Sequence, residues 1–193
     1  MLNINSIQKI NTKFYQSFSE IGKSGFVFLS TLTLGHLVVH WYMNLLSLSL
    51  PFIHEDLNLS EFQLSLLTTV QIGAASCLFI VSGFVADSFR QRGAMIVASA
   101  VISFGIAFFL IGVSSSYLLT LFAVGMIGLG TGLWHPAAMG ALSLHFPNRR
   151  GTVLAVHGVG ASVGDVIGPI IVGAIILVAD WKLTLQIHIL PAL

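Results

Sequence analysis

The segment Gly83-Phe-Val-Ala-Asp87-Ser-Phe-Arg90-Gln-Arg92-Gly93 places one acidic and two basic side chains between two long apolar stretches. Neither the stretch before it, residues 62–85, nor the stretch after it, residues 93–113, contains Asp, Glu, Lys or Arg. As helices, both are long enough to cross the roughly 30 Å hydrocarbon core of a bilayer. The charged segment therefore predicts a tight loop at one membrane face, joining two transmembrane helices.

The composition predicts that most of the chain is built from such helices. Hydrophobic residues make up 55% of the 193 residues, charged residues make up 8%, and the mean hydropathy is +0.94. A soluble domain carries roughly a quarter charged residues, so that class is excluded. We predict an all-α membrane protein, a bundle of five complete spans and an incomplete sixth that follows a cytoplasmic segment, residues 1–25. The predicted spans are 26–52, 62–85, 93–113, 117–144, 152–178 and 183–193.

The basic residues predict the orientation of the chain. Seven of the eight Lys and Arg residues precede the first span or lie in the loops after the second and fourth spans. By the positive-inside rule, the amino terminus is cytoplasmic and the protein lies in a cell membrane, in a bacterium the inner one. The bases form no patch, which argues against nucleic-acid binding. Residues 1–25 form either an amphipathic helix at the interface or a polar tail.

The charged loop resembles the loop between helices two and three of the major facilitator superfamily, Gly-x-x-x-Asp-(Arg/Lys)-x-Gly-(Arg/Lys)-(Arg/Lys). Residues 83, 87 and 92 match this pattern, whereas residues 88, 90 and 91 depart from it. The resemblance implies the amino-terminal lobe of a two-lobed transporter, with the carboxyl-terminal lobe missing, so that the chain is a fragment or a truncated reading frame. It also implies a conformational latch that includes Gly83, Asp87, Arg90 and Arg92.

The fifth span contains glycines at every fourth position, Gly160, Gly164 and Gly168, followed by Pro169 and Gly173. Glycines at that interval leave a groove in which another helix can approach closely. The run resembles the antiporter motif of the same superfamily, although positions 155 and 172 depart from it. The resemblance implies an exporter that exchanges substrate for protons. A packing groove without information on transport direction is the alternative interpretation.

The fourth span contains a glycine-rich run, residues 125–136, that ends in His135 and Pro136. Glycines and a proline weaken helical hydrogen bonding, so we expect this run to interrupt or bend the span. Together with Gly35 and His36 in the first span, the run resembles the fosmidomycin-resistance type of efflux protein within the superfamily.

Polar residues in the first span predict a substrate cavity. His36, His40 and Asn44 follow at four-residue intervals and therefore share one helical face, beside Trp41. Polar side chains at membrane depth normally face a bundle interior or a water-filled cavity. We predict a small-molecule cavity lined by these residues with Trp134 and His135; packing inside the bundle is the alternative. No metal site is predicted, because the Glu of a His-Glu-x-x-His motif is missing.

Asp165 is the only Asp, Glu, Lys or Arg in the five complete spans. A carboxylate at that depth costs a few kcal/mol on insertion scales, so it is normally functional or paired. We predict that Asp165 binds the coupling proton, together with His40 and His157. The alternative is an acid that only fixes helix packing.

The function that these features predict is proton-coupled export of a small molecule by alternating access. An uptake symporter for a small anion or nutrient, or a truncated scaffold without transport activity, are the alternatives. No nucleophile–base pair or phosphate-binding loop occurs, so neither an enzyme nor an ATP-driven pump is predicted. We expect no cofactor, and the partners are lipid, substrate and protons.

Overall fold

The computed structural model describes residues 21–88 and 92–192, with only the backbone for 85–88. Five of its helices are long and apolar enough to cross a membrane, and no strand occurs among the described residues. The predicted all-α membrane fold is therefore confirmed. The helices are α1 (Gly22–Asp56), α2 (Glu61–Ser88), α3 (Gly93–Val113), α4 (Tyr117–His145), α5 (Arg150–Val178) and the short α6 (Trp181–Ile187), followed by a 3₁₀ turn at Leu190–Ala192.

Most of the long helices extend beyond the apolar runs that predict them, whereas α3 coincides with its predicted span, 93–113. Helix α1 continues past the predicted span 26–52 at both ends, because a helix does not stop where its side chains become polar. The sixth helix begins at Trp181, before the predicted start, and ends at Ile187, short of the predicted end. The Asp180 side chain caps it by accepting a hydrogen bond of 2.9 Å from the Leu183 amide. This cap gives Asp180 a structural role that the hydropathy pattern alone does not predict.

Contacts between helix ends show that the helices alternate in direction. At one face, the end of α1 meets the start of α6 through Lys182 Nζ and Asp56 Oδ2, which lie 2.7 Å apart. At the opposite face, the start of α1 meets the end of α4, where the rings of Phe28 and His145 lie 4.7 Å apart. Short connections and alternating directions are what consecutive membrane spans require.

The glycines of α5 let this helix lie directly against α1. A Cβ atom at Gly160 would overlap the Thr33 carbonyl oxygen, and one at Gly164 would overlap the Leu37 carbonyl oxygen. At Gly168 a Cβ would lie 3.3 Å from the Trp41 Cα. The three glycines thus form the predicted groove, and its occupant is α1.

Gly173 does not continue this groove, contrary to the predicted motif. A Cβ atom at Gly173 would meet nothing within 4 Å. The reason is the helical period, because five residues after Gly168 correspond to a rotation of roughly 140°. Pro169 lies inside α5, which remains helical from Arg150 to Val178.

Helix α4 is continuous through Pro136, so the expected interruption of the fourth span is absent. Its glycines serve close packing on two faces instead. A Cβ at Gly132 would lie 2.7 Å from the Ala75 carbonyl oxygen on α2. One at Gly130 would lie 3.0 Å from the Ala100 carbonyl oxygen on α3. Alternate glycines therefore place α4 between two neighbours.

Candidate transport site

An open cleft of about 410 Å³ lies among four of the long helices. Two of the predicted cavity residues, His40 and Asn44, line it from α1, and Asp165 lines it from α5. Its remaining lining residues are Met43 and Ser47 on α1, Gln71, Ile72 and Ala75 on α2, and Thr131 on α4. The cleft is large enough for a small organic molecule.

The carboxylate of Asp165 joins α5 to α1 through two hydrogen bonds. Its Oδ1 lies 3.0 Å from His40 Nδ1 and accepts a hydrogen bond of 3.0 Å from Asn44 Nδ2. Asn44 Nδ2 also donates to the His40 backbone carbonyl at 2.9 Å. The Asp165 side chain is 54% exposed and that of His40 is 20% exposed. An acid in the middle of a span is therefore accommodated by facing the cleft rather than a closed apolar core.

Four histidine rings meet behind this carboxylate. The His36 ring stacks on His157 with 4.2 Å between ring centroids. It also lies edge-on to His40 at 4.8 Å and to His135 at 5.2 Å. The predicted proton-coupling residues His40 and His157 are thus brought into one cluster. His157 reaches Asp165 only through the rings of His36 and His40.

Three of these rings use Nδ1 to contact an oxygen acceptor. His36 Nδ1 lies 3.0 Å from the His157 carbonyl oxygen, and His135 Nδ1 lies 3.1 Å from the Thr131 carbonyl oxygen. His40 Nδ1 contacts Asp165 as described above. A backbone carbonyl can only accept, so Nδ1 carries a hydrogen in His36 and His135, and an ionised Asp165 carboxylate requires the same of His40. Each neutral ring then has its lone pair on Nε2.

The two predicted cavity tryptophans lie elsewhere. Trp41 Nε1 donates a hydrogen bond of 3.0 Å to His188 Nε2, toward the carboxyl end of the described chain. One residue after His40 corresponds to a rotation of about 100°, which turns Trp41 away from the cleft. Trp134 is 2% exposed and lies against Gly35, where a Cβ atom would overlap its indole ring.

Sequence reasoning missed the polar lining of the cleft from α2 and α4, Gln71 and Thr131. The depth argument applied to Asn44 extends to Gln71, which lies in an uncharged span. The sequence does not indicate that Thr131 lines a cavity, because a threonine hydroxyl can be satisfied within its own helix. Here it donates a hydrogen bond of 2.9 Å to the Ile127 carbonyl oxygen.

The predicted latch stays a prediction. Arg90 lies outside the described residues, and so does the side chain of Asp87. Gly83 lies in α2 and Arg92 directly precedes α3. The amino-terminal segment, residues 1–20, is also outside the described residues.

The chain is similar to curated transport and resistance proteins. It is 28% identical over 138 residues to a probable sulfoacetate transporter of Cupriavidus necator, covering 71% of this chain and 32% of that protein. It is 22% identical over 154 residues to the fosmidomycin resistance protein of Escherichia coli, covering 80% of this chain and 37% of that protein. It is 26% identical over 144 residues to a puromycin resistance protein of Streptomyces alboniger, covering 74% of this chain and 28% of that protein.

The chain thus spans about a third of the length of these relatives, between 28% and 37%. The family model for the major facilitator superfamily matches residues 32–193, which include all the described helices after the first turns of α1. The five apolar helices, and the cleft among four of them, are consistent with this match. The chain therefore belongs to the major facilitator superfamily of membrane transporters.

Proposed function

We propose that this chain forms the amino-terminal lobe of a secondary transporter that exports a small molecule in exchange for protons. The observation that carries the proposal is the Asp165–His40 pair. It contains the only carboxylate of the five spans, hydrogen-bonded to a titratable ring at the edge of an open cleft. Intramembrane acids and histidines of this kind are typical of proton pathways.

The pair can link proton binding to helix position. The ionised carboxylate accepts hydrogen bonds from two groups of α1, the His40 ring and the Asn44 amide. A proton added to the carboxylate or to the ring changes the charge of the pair, and with it the attraction between α1 and α5. Because α1 and α5 both line the cleft, this change acts on the surfaces that must move during alternating access.

The histidine cluster offers a route between the pair and one membrane face. From Asp165 the rings of His40, His36 and His157 follow one another in contact. His157 lies eight residues before Asp165 in α5, about 12 Å along the helix axis. That direction leads toward Arg149 and Arg150, which lie at the cytoplasmic face in the proposed orientation.

The substrate is proposed by analogy with the relatives. Their names give sulfoacetate, fosmidomycin and puromycin, and these compounds form the first set to test. We also propose that this chain lies in a cell membrane with its amino terminus in the cytoplasm, as the distribution of its basic residues predicts. A carboxyl-terminal lobe would cover the cleft and complete the substrate site.

The test is transport in proteoliposomes under an imposed pH gradient, by the purified two-lobed transporter that contains this chain as its amino-terminal lobe, with the three compounds as substrates. We expect Asp165→Asn to abolish the dependence of export on the gradient while the protein still inserts and folds. Asp56→Asn is the matched control, because Asp56 lies at the end of α1 and pairs with Lys182.

Two outcomes would count against the proposal. Export by Asp165→Asn with the wild-type pH dependence would show that Asp165 is not the coupling site. Accumulation of substrate in the same direction as the proton flow would identify an uptake symporter instead.

A further inference from the structure

We infer that His36, His40 and His135 form a binding site for one divalent transition-metal ion of the zinc type. One ring nitrogen from each residue lies within 4.8 Å of the other two. Two of the rings lie one helical turn apart on α1, and the third comes from α4. The inference goes beyond the transport proposal and does not depend on it.

The hydrogen bonds of the three rings are those that metal-binding histidines use. Each Nδ1 contacts an oxygen, and the acceptors are the carbonyls of His157 and Thr131 and the carboxylate of Asp165. Metal-binding histidines almost always donate their second ring N–H to a carbonyl or carboxylate, which fixes the tautomer and raises ligand basicity. The nitrogen left for a metal is Nε2 in all three rings.

The His36 ring shows a cost that a metal ion would remove. Its Nε2 is buried and has no hydrogen-bond partner among the described residues. A buried acceptor without a partner costs about 1–3 kcal/mol. Coordination of a metal ion would use this lone pair. The His157 ring cannot donate a hydrogen bond to it, because the two rings are stacked with only 15° between their planes, and the lone pair lies in the plane of the His36 ring.

The geometry suits an ion with an open coordination position. In a tetrahedral site with metal–nitrogen bonds of about 2.1 Å, the ligand nitrogens lie about 3.4 Å apart. The ligand nitrogens, at most 4.8 Å apart now, would therefore move closer together when a metal ion binds. Of the three ligands, His40 also lines the cleft, so a metal ion held here would lie beside the cleft with one coordination position left for water. Three imidazoles favour Zn²⁺, Co²⁺ or Ni²⁺ over Mg²⁺ and Ca²⁺, which prefer oxygen ligands.

The test is a titration of the purified full chain in lipid nanodiscs with Co²⁺, followed by its visible absorption and reversed with Zn²⁺. A Cys77→Ser background removes the exposed thiol as a competing ligand. We expect saturation at one Co²⁺ per chain, and loss of the saturable band in His135→Gln. His145→Gln is the control, because His145 lies ten residues further along the same helix, in its last turn, and is outside the cluster.

Asp165→Asn provides a second, independent readout. This variant keeps all three ligands but removes the carboxylate that orients His40, so the affinity for Co²⁺ should fall about 10- to 100-fold. Circular dichroism would verify that each variant remains helical. The inference is overturned if the folded wild-type chain gives no saturable band, or if His135→Gln binds Co²⁺ as the wild type does. The titration uses no pH gradient, so its failure leaves the transport proposal standing.

Discussion

The substitution Gly164→Ala tests whether the close approach of α5 to α1 sets the geometry of the site. The added Cβ would overlap the Leu37 carbonyl oxygen and lie 2.9 Å from the His40 Cβ. A backbone oxygen inside a helix cannot move aside alone, so the two helices must separate by about 1 Å to reach an ordinary van der Waals distance. The hydrogen bond between His40 and Asp165 lies next to this contact, because Asp165 follows Gly164 directly in the chain.

The expected magnitude follows from two opposing effects. Overpacking of a tight interface costs about 1–3 kcal/mol. Alanine is about 1 kcal/mol more favourable than glycine inside a helix, which offsets part of that cost. The net loss of stability should therefore be as much as about 2 kcal/mol. A hydrogen bond of 3.0 Å between His40 and Asp165 that lengthens by about 1 Å is no longer a hydrogen bond.

The assay combines thermal unfolding in detergent with transport under a pH gradient. We expect Gly164→Ala to unfold at a lower temperature and to lose pH dependence as Asp165→Asn does, although its carboxylate is intact. Gly173→Ala is the matched control on the same helix, because its added Cβ meets nothing within 4 Å. If Gly164→Ala matches Gly173→Ala in both assays, the α1–α5 approach does not set the site.

Two further predictions concern the face where α1 ends and α6 begins. In a Cys77→Ser background, Asn58→Cys should react with an impermeant thiol reagent added outside the cell; labelling only from the cytoplasm would reverse the proposed orientation. Lys182→Met should lower stability by no more than about 1 kcal/mol in thermal unfolding, because its pair with Asp56 is partly solvent-exposed. A larger loss would show that this pair holds α6 against the bundle.

The helices and the fold class could be predicted from the sequence because they depend on local properties. An uncharged run of about twenty residues determines a membrane span wherever its neighbours lie. The groove of Gly160, Gly164 and Gly168 was equally readable, since the helical period alone places the three residues on one face. Helix bounds were less predictable, because caps such as Asp180 depend on single side chains.

The residues of the candidate site could be predicted only in part, because the site is formed by contacts between different helices. The spacing of His36, His40 and Asn44 within α1 gave one side of it. The depth of Asp165 in α5 suggested His40 and His157 as its partners, and of these only His40 contacts it. That Asp165 also meets Asn44, and that His135 meets His36, depends on how α4 and α5 lie against α1, and a pattern within one helix does not contain this.

The two proposals meet at a single ring. His40 uses Nδ1 to bind Asp165 and, by the argument above, offers Nε2 to a metal ion, so a proton on Nε2 and a metal ion exclude each other. Exclusive binding at one atom is reciprocal, since metal occupancy weakens proton binding as much as protonation weakens metal binding. Metal bound at the histidine cluster would therefore keep a proton off His40 Nε2, while the hydrogen bond between His40 Nδ1 and the Asp165 carboxylate stays in place in both states.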